Sequence, residues 1–200
     1  MGGQSGPCGA RFALNPHPLD RGSGEASPPL EIERVFLLRG LPPLPATAEA
    51  HRLEQGYLDL EASSARRDPF AEGRLRRWVR PDGEVACFHT VKRGSGVVRE
   101  EIEREISQAE FAAAWPRTGR RRIEKTRYRV PEGDLVWEVD RFDQVPLVLA
   151  EVELPAPDHP VETPAWLDGW IVREISEDPR YRNSELARRI AGGEALPPLA

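Results

Sequence analysis

The sequence has almost no cysteine: Cys8 and Cys87 are the two in 200 residues. Two thiols, one of them in a glycine- and proline-rich N-terminus, can build neither a disulfide framework nor a cysteine zinc site. The chain also lacks an apolar run of membrane-spanning length, and its N-terminus lacks the apolar core of a signal peptide. We therefore expect a cytoplasmic protein with no membrane partner.

An excess of basic charge is also absent. The chain has 28 lysines and arginines against 33 aspartates and glutamates, a formal net charge of −5. This balance argues against a general nucleic-acid binder or membrane-surface binder, because both classes rely on positive charge. The basic run GRRRIEK at 119–125 is interpreted as a solvated loop that enters a strand rather than as an RNA site. The four histidines are scattered without metal-ligand spacing, which indicates surface or packing roles.

The chain divides into one long domain and two ends of different composition. Residues 1–29 are rich in Gly, Pro and Ser without any period, which is typical of a disordered extension. Residues 30–188 hold the predicted domain, and residues 189–200 are predicted to be a flexible tail. Within the domain, strand-like runs are separated by short turn sequences, which predicts β-hairpins. These turns are PDG (81–83), GSG (94–96) and PEGD (131–134).

Helical patterns interrupt the strands. SQAE at 107–110 is a capping box, which predicts a helix that continues through FAAAW. TAEAHRLEQ at 47–55, with Thr47 as a cap, predicts a second short helix, and a third is predicted to start near Asn183 or Ser184. Antiparallel strands with a few helices predict an α+β fold that is mainly β, or a barrel.

Pairs of like charges, two residues apart, recur along the predicted strands. Side chains at this spacing share one face of a strand. A single pair is typical of the solvated face of a half-buried sheet, so each pair alone has an ordinary explanation. The acidic pairs are Glu31 and Glu33, Glu101 and Glu103, Glu138 and Asp140, and Glu151 and Glu153; the basic pairs are Arg74 and Arg76, and Lys125 and Arg127.

Taken together, these pairs favour a sheet that closes on itself. Like charges at this distance repel each other and gain little on an open surface. In a closed sheet, acidic strands can gather a divalent cation while basic strands hold an anion such as phosphate. A barrel of about eight strands has an interior wide enough for side chains or one small ligand. The apolar faces would then pack outward against helices; they include Ile32, Ile102, Trp137, Val139 and Val152.

An ordered series of motifs resembles the CYTH domain, or triphosphate tunnel metalloenzyme superfamily. EIERVFL at 31–37 resembles the family's Glu-x-Glu-x-Lys signature, and the later motifs follow in the family's order over roughly residues 30–188. The resemblance implies an eight-stranded antiparallel β-barrel tunnel with a charged lumen and helices packed outside. It also implies that the tunnel binds a small triphosphate together with Mg²⁺ or Mn²⁺. The later motifs are QGYL (55–58), RLR (74–76), TVK (90–92), EIEREI (101–106), EKTRY (124–128), WEVDRF (137–142) and AEVELP (150–155).

The resemblance implies roles for individual residues. The acids that match its metal-binding positions are Glu31, Glu33, Asp140, Glu151 and Glu153. The bases that match its phosphate-binding positions are Arg74, Arg76, Lys92, Lys125 and Arg127. Glu101, Glu103 and Glu138 match further acids of the lumen. Tyr57 and Lys92 are the candidate catalytic residues.

One position departs from the signature, because Val35 stands where the family has a lysine. In the family that lysine contacts phosphate, and in some members it acts with a tyrosine, which here is Tyr57. Two classes of function follow. The first is a metal-dependent hydrolase of a small triphosphate, with inorganic tripolyphosphate ahead of thiamine triphosphate or a nucleotide. The second is a polyphosphate- or nucleotide-binding protein with weak or no catalysis, and adenylate cyclisation is a third choice. Trp78 either packs or lines the lumen.

Overall fold

Nine strands and two α-helices lie within residues 32–58, 69–93, 100–156 and 158–199, the ranges that the computed structural model describes. The predicted N-terminal extension and Glu31 lie outside these ranges. The α-helices are α1 (Gln108–Ala114) and α2 (Asn183–Gly192). The strands are β1 (Ile32–Leu38), β2 (Glu49–Leu58), β3 (Gly73–Val79), β4 (Val85–Arg93), β5 (Glu100–Ile106), β6 (Arg122–Glu132), β7 (Leu135–Phe142), β8 (Val148–Leu154) and β9 (Ile171–Glu174).

The strands form one antiparallel sheet in the order β5-β4-β3-β2-β6-β7-β8-β1-β9. The prediction of a mainly β, antiparallel fold is therefore confirmed, but the predicted count of eight strands is wrong. The ninth strand, β9, is only four residues long and pairs with the edge of β1 that β8 leaves open. Between the described residues of β5 and β9 no ladder of hydrogen bonds closes the sheet, so a closed tunnel stays a prediction.

The turns that connect the strands follow their residue chemistry. Gly83 in the β3–β4 turn and Gly133 in the β6–β7 turn have φ values of +87° and +62°, which glycine adopts without steric cost. These two predicted hairpins are confirmed, and the third turn at 94–96 lies outside the described residues. The predicted helix at 47–55 is wrong, because Glu49–Leu58 forms β2 between β3 and β6. Pairing on both sides overrides the weak local helix signal there.

Helix α1 begins at the predicted capping box. The Ser107 hydroxyl accepts the backbone N–H of Glu110 at 3.2 Å, and the Glu110 carboxylate accepts the backbone N–H of Ser107 at 2.8 Å. Phe111 of the helix then packs on one face of the sheet, against Leu75 and Cys87. This contact buries the apolar side of β3 and β4.

The same apolar face continues over β1, β6, β7 and β8. Trp137, Val139 and Val152 are buried there, as predicted, and Leu167 from a 3-10 helix packs on them. The covering chain is therefore mostly irregular rather than helical. The prediction that Ile102 also packs against a helix is wrong, because its side chain is 48% exposed on the edge strand β5.

Helix α2 packs on the opposite face, at one end of the sheet. Leu186 and Ala187 lie against Ile123, Phe142 and Leu149, which point away from the face that α1 covers. Helix α1 therefore packs on the apolar face and α2 on the opposite face, and whether either lies outside a tunnel stays a prediction. The helix continues to Gly192, beyond the predicted domain boundary at 188, and ends at Gly193 with φ of +66°. Within the described ranges, neither helix is long and apolar enough to cross a membrane.

Candidate functional site

The strand register brings the paired charges onto one face of the sheet. Residues directly opposite each other in an antiparallel pair share a face. Arg127 lies opposite Asp140, Glu138 lies opposite Glu151, and Glu33 lies opposite Glu153. We call the face of the sheet that carries these charged side chains the polar face. The two-residue spacing predicted that the paired charges share one face, and this is confirmed for the described residues. They are Glu33, Arg74, Arg76, Glu103, Lys125, Arg127, Glu138, Asp140, Glu151 and Glu153.

Asp140 is at the centre of the first charge cluster on this face. Its side chain and that of Lys125 are both 0% exposed, and the two form an ion pair. The Arg127 guanidinium donates to both carboxylate oxygens of Asp140, at 2.7 and 2.6 Å. Burial opposes the charge of Asp140, but Arg127 and Lys125 outweigh it and lower the pKa of the carboxyl group to about 2. Asp140 therefore stays ionised and holds two bases in place.

Arg127 extends this cluster to two glutamates. Its guanidinium donates to Glu138 and, at 2.6 Å, to Glu151, and Arg129 donates to Glu138 at 3.1 Å. A buried charge is tolerated only when partners surround it, because desolvation costs several kcal/mol per ion. We call this group the Arg127 cluster; it comprises Lys125, Arg127, Arg129, Glu138, Asp140 and Glu151.

A second cluster lies across β3, β4 and β5. Arg76 donates to both oxygens of Glu103 at 2.9 Å, and Arg74 approaches the same carboxylate at 3.4 Å. The Thr90 hydroxyl donates to Glu103 at 2.6 Å and accepts from Arg74 at 3.2 Å. We call these four residues the Arg76 cluster. Glu103, which the sequence left without a definite role, is the carboxylate on which two guanidinium groups converge.

The two clusters act on each other electrostatically. Burial lowers the pKa of Arg76, and the charges of Arg74 and Arg127 lower it further. The Nε–H group of Arg76 is buried without a hydrogen-bond partner in the described part of the chain. A buried donor of this kind is costly until an acceptor meets it, and an anionic oxygen is the strongest acceptor. The polar face is thus suited to an anion that touches both clusters.

Tyr57 and Val35 lie where α2 meets the polar face. Val35 is opposite Glu151, which confirms that residue 35 shares the face of Glu33. Both Val35 and Tyr57 pack against the apolar cluster of α2. Burial raises the pKa of Tyr57 to about 12, against the opposing effect of Arg74, which also hydrogen-bonds to the phenol. Tyr57 is therefore neutral near pH 7 and acts there as a hydrogen-bonding group rather than as a base.

Three carboxylates of β1 and β8 provide hard oxygen atoms at the edge of the Arg127 cluster: Glu151, which belongs to the cluster, and Glu33 and Glu153, which lie next to it. Glu33 and Glu153 are exposed, whereas Glu151 is largely buried. Burial raises the pKa of Glu151 to about 7, an effect to which the charges of Asp140 and Glu33 add. A divalent cation would relieve this repulsion, and carboxylate oxygens are ligands that Mg²⁺ and Mn²⁺ accept. The donor chemistry of these residues fits such an ion.

The remaining predicted metal ligands differ from these three. Both oxygens of Asp140 are already engaged by Lys125 and Arg127, so in this conformation Asp140 orients bases rather than offering a free ligand. Glu31 lies outside the described residues. Among those that are described, no three His, Cys, Asp or Glu side chains form a ready metal site. The metal-binding roles stay predictions.

The other candidate catalytic residue, Lys92, belongs to β4, and its backbone pairs with Glu101. Both side chains lie outside the described part of the structure.

The sequence left open whether Trp78 packs or lines the charged face. The register shows that Trp78 lies on the polar face, two residues after Arg76. His51 and Thr90 were not identified as site residues. Thr90 could have been identified, because it is two residues from both Phe88 and Lys92 and therefore shares their face of the strand. His51 could not, because the segment 47–55 was predicted to be a helix.

The chain is similar to named proteins over most of its length. It is 37% identical over 167 residues to an inorganic triphosphatase of Nitrosomonas europaea, a match that covers 80% of this chain and 98% of the relative. It is 30% identical over 161 residues to an inorganic triphosphatase of Acetivibrio thermocellus, covering 79% of this chain and 93% of the relative. No family model matches the chain.

A solved structure shares the fold. The crystal structure of an inorganic triphosphatase superposes with a TM-score of 0.54 at 35% sequence identity. The superposition covers 78% of this chain and 93% of the other.

Proposed function

The chain belongs to the family of inorganic triphosphatases, in agreement with its CYTH-like motifs, and from this premise we propose that it hydrolyses a phosphoanhydride bond of inorganic tripolyphosphate with Mg²⁺ or Mn²⁺. The observation that carries the proposal is the convergence of the two charge clusters on one face. Bases from β3 and β6 lie there beside carboxylates from β1 and β8.

In this proposal the Arg76 cluster binds the oxygen atoms of the triphosphate. Arg74 and Arg76 converge on Glu103. The buried Nε–H group of Arg76 has no hydrogen-bond acceptor among the described residues. Guanidinium groups bind phosphate oxygens through paired, charge-assisted hydrogen bonds. Arg127, held by Asp140, lies on the same face and acts electrostatically on Arg76, so we assign it to the same anion. We infer that the sheet encloses the triphosphate as a tunnel.

Glu33, Glu151 and Glu153, together with Glu31, would hold the metal ion. When bound, such an ion neutralises phosphate charge and orients a water molecule. Arg74 and Arg76 bind and orient the substrate, and Asp140 keeps Lys125 and Arg127 charged and fixed. Tyr57, neutral and hydrogen-bonded to Arg74, positions that arginine at the end of the face that α2 covers. Lys92 is the remaining candidate for a base that contacts the reacting phosphate.

The second candidate function is capture of a polyphosphate or nucleotide with little turnover. Val35 favours it, because a valine packed with Tyr57 against the α2 cluster supplies no positive charge to a phosphate. We place hydrolysis first, since the relatives are named triphosphatases and the other bases of the face are retained.

Phosphate release from tripolyphosphate, with Mg²⁺, with Mn²⁺ and with a chelator, tests the proposal. Thiamine triphosphate and ATP serve as competing substrates in the same assay. We expect metal-dependent release that is fastest with tripolyphosphate. Tight binding of tripolyphosphate without release would favour the capture function, and neither binding nor release would refute both.

A further inference from the structure

Trp78 is held on the polar face by a histidine. The indole Nε1–H donates to Nδ1 of His51 at 2.8 Å, and the two rings meet edge-on, with centroids 5.3 Å apart at 83°. His51 is 5% exposed, and burial followed by the charge of Arg129 lowers its pKa. The imidazole is therefore neutral near pH 7, with Nδ1 as the acceptor. A hydrogen bond to a buried acceptor fixes the plane of the indole ring.

The fixed ring faces Arg76. The Arg76 guanidinium lies 5.4 Å from the Trp78 ring centroid and 5.2 Å from that of Phe88. Phe88 is opposite Arg76 on β4, and Trp78 is two residues further along β3. Cations within about 6 Å of an aromatic face are attracted to it, more strongly when desolvated. Two rings and the Glu103 carboxylate therefore constrain one guanidinium group.

The constraint leaves specific donors of Arg76 for a ligand. Its Nη2 group is used by both oxygens of Glu103, whereas its Nε–H group is buried and has no partner in the described ranges. Without the rings, a long arginine side chain would sample several rotamers and lose that orientation. Trp78 lies opposite Ala86 of β4 and is only partly buried, so the indole is not fully used in packing.

We propose that His51, Trp78 and Phe88 form a clamp that positions Arg76 toward a triphosphate oxygen, which makes Trp78 and His51 positioning residues for the reaction. The inference rests on the proposed function, since it names how one of its phosphate-binding groups is oriented. Because Trp78 acts through Arg76, its contribution to binding exists only when Arg76 is present.

A double-mutant cycle tests this dependence. Dissociation constants for tripolyphosphate with Mg²⁺ are measured for the parent, Trp78→Leu, Arg76→Ala and the double variant. Loss of a desolvated cation–aromatic contact predicts that Trp78→Leu weakens binding about three- to tenfold. In the Arg76→Ala background the same change has an effect below about twofold. Trp78→Phe, which keeps an aromatic face, recovers most of the affinity.

A second cycle tests the histidine. His51→Leu removes the acceptor of the indole N–H, so it weakens binding in the parent and has little effect in Trp78→Phe, which has no N–H to hold. The control is Trp166→Leu: Trp166 is also hydrogen-bonded, to Glu132 at 3.2 Å, but packs on the apolar face. Its affinity for tripolyphosphate stays at the parent value.

Melting temperatures of each variant separate positioning from folding. If Trp78→Leu does not fold, Trp78→Phe and His51→Leu carry the test. Equal weakening by Trp78→Leu in both Arg76 backgrounds would overturn the clamp, as would unchanged affinity in Trp78→Leu and His51→Leu. A parent that does not bind tripolyphosphate at all would refute the proposed function, a failure visible before any variant is made.

Discussion

The Arg127 cluster and the Arg76 cluster differ in how fully their buried charged groups are paired within the protein. In the Arg127 cluster three bases meet three carboxylates, and both oxygens of Asp140 are engaged. In the Arg76 cluster two guanidinium groups converge on Glu103, and the buried Nε–H of Arg76 makes no hydrogen bond to the described residues. The first cluster is internally satisfied, whereas the second has a buried donor that an added acceptor could satisfy. Changes in the first should therefore affect folding, and changes in the second should affect binding.

The largest effect is expected for Asp140→Asn. The change leaves Lys125 buried beside a neutral amide, whereas Arg127 keeps Glu138 and Glu151. An uncompensated buried charge destabilises a protein by about 3–5 kcal/mol. Denaturant unfolding of the ligand-free protein measures the loss. Glu124→Gln is the control: its partner Arg52 is exposed, so that change costs about 0–1 kcal/mol. Equal losses in the two variants would contradict the central role of Asp140.

Val35→Lys tests what the family's lysine would add to this face. The side chain would extend from β1 beside Glu151 toward Tyr57 and place an ammonium near the phosphates. One charge-assisted contact of about 1.5–4 kcal/mol in the transition state predicts a rise in kcat of about ten- to a thousandfold. Steady-state kinetics with tripolyphosphate measures kcat and KM separately. A parent already fast, and a variant no faster, would mean that another base such as Lys92 fills the role.

Arg76→Ala should reduce ligand affinity more than stability. The substitution removes a cation from the second cluster while Arg74 stays beside Glu103. Loss of a charge-assisted hydrogen bond of about 1.5–3 kcal/mol predicts binding of tripolyphosphate weaker by about ten- to a hundredfold. Calorimetric titration measures the affinity, and thermal melts of the same variant measure the stability. A large fall in melting temperature with unchanged affinity would reverse the contrast between the clusters.

The smallest effect is expected for pH. Because burial raises the pKa of Glu151 from 4.5 in the unfolded chain to about 7, the folded protein binds an extra proton between these values. The contribution of the protonated Glu151 carboxyl to the free energy of unfolding is therefore complete below pH 4.5 and is lost as pH rises through 7. After discounting for partial screening we expect roughly 1–2 kcal/mol, measured as unfolding free energy of the metal-free protein at pH 5 and pH 7.5. Glu151→Gln should remove this loss of stability and leave the opposite, smaller trend that the lowered pKa of buried His51 produces, and Glu124→Gln should retain the parent behaviour.

Much of the polar face could be predicted, because the signal is local. Side chains two apart on a strand share a face whatever their partners, so Arg74 with Arg76 and Lys125 with Arg127 were placed correctly from spacing alone. The capping box of α1 and the glycine turns are local in the same sense. What the motifs implied about metal binding and catalysis stays a prediction.

Features that depend on distant contacts could not be predicted. β9 is a strand because β1 offers it an edge, and the segment 47–55 is a strand because β3 and β6 flank it. The side on which α2 packs depends on Phe142 and Leu149, far away in the sequence. The hydrogen bond between His51 and Trp78 joins residues 27 apart, and no spacing rule signals it.

The position of β1 between β8 and β9 has a consequence for biosynthesis. The first strand of the sheet finds its neighbours at Glu151 and Glu174, and the ion pair between Arg34 and Glu174 spans 140 residues. During translation both edges of β1 therefore remain without their partner strands, β8 and β9, until nearly the whole domain has left the ribosome. Pairings of such long sequence separation fold slowly, because the chain must close a large loop before they form. We expect the nascent protein to depend on chaperones during this interval, and Glu33, the proposed metal ligand on β1, to reach its place beside Glu153 last.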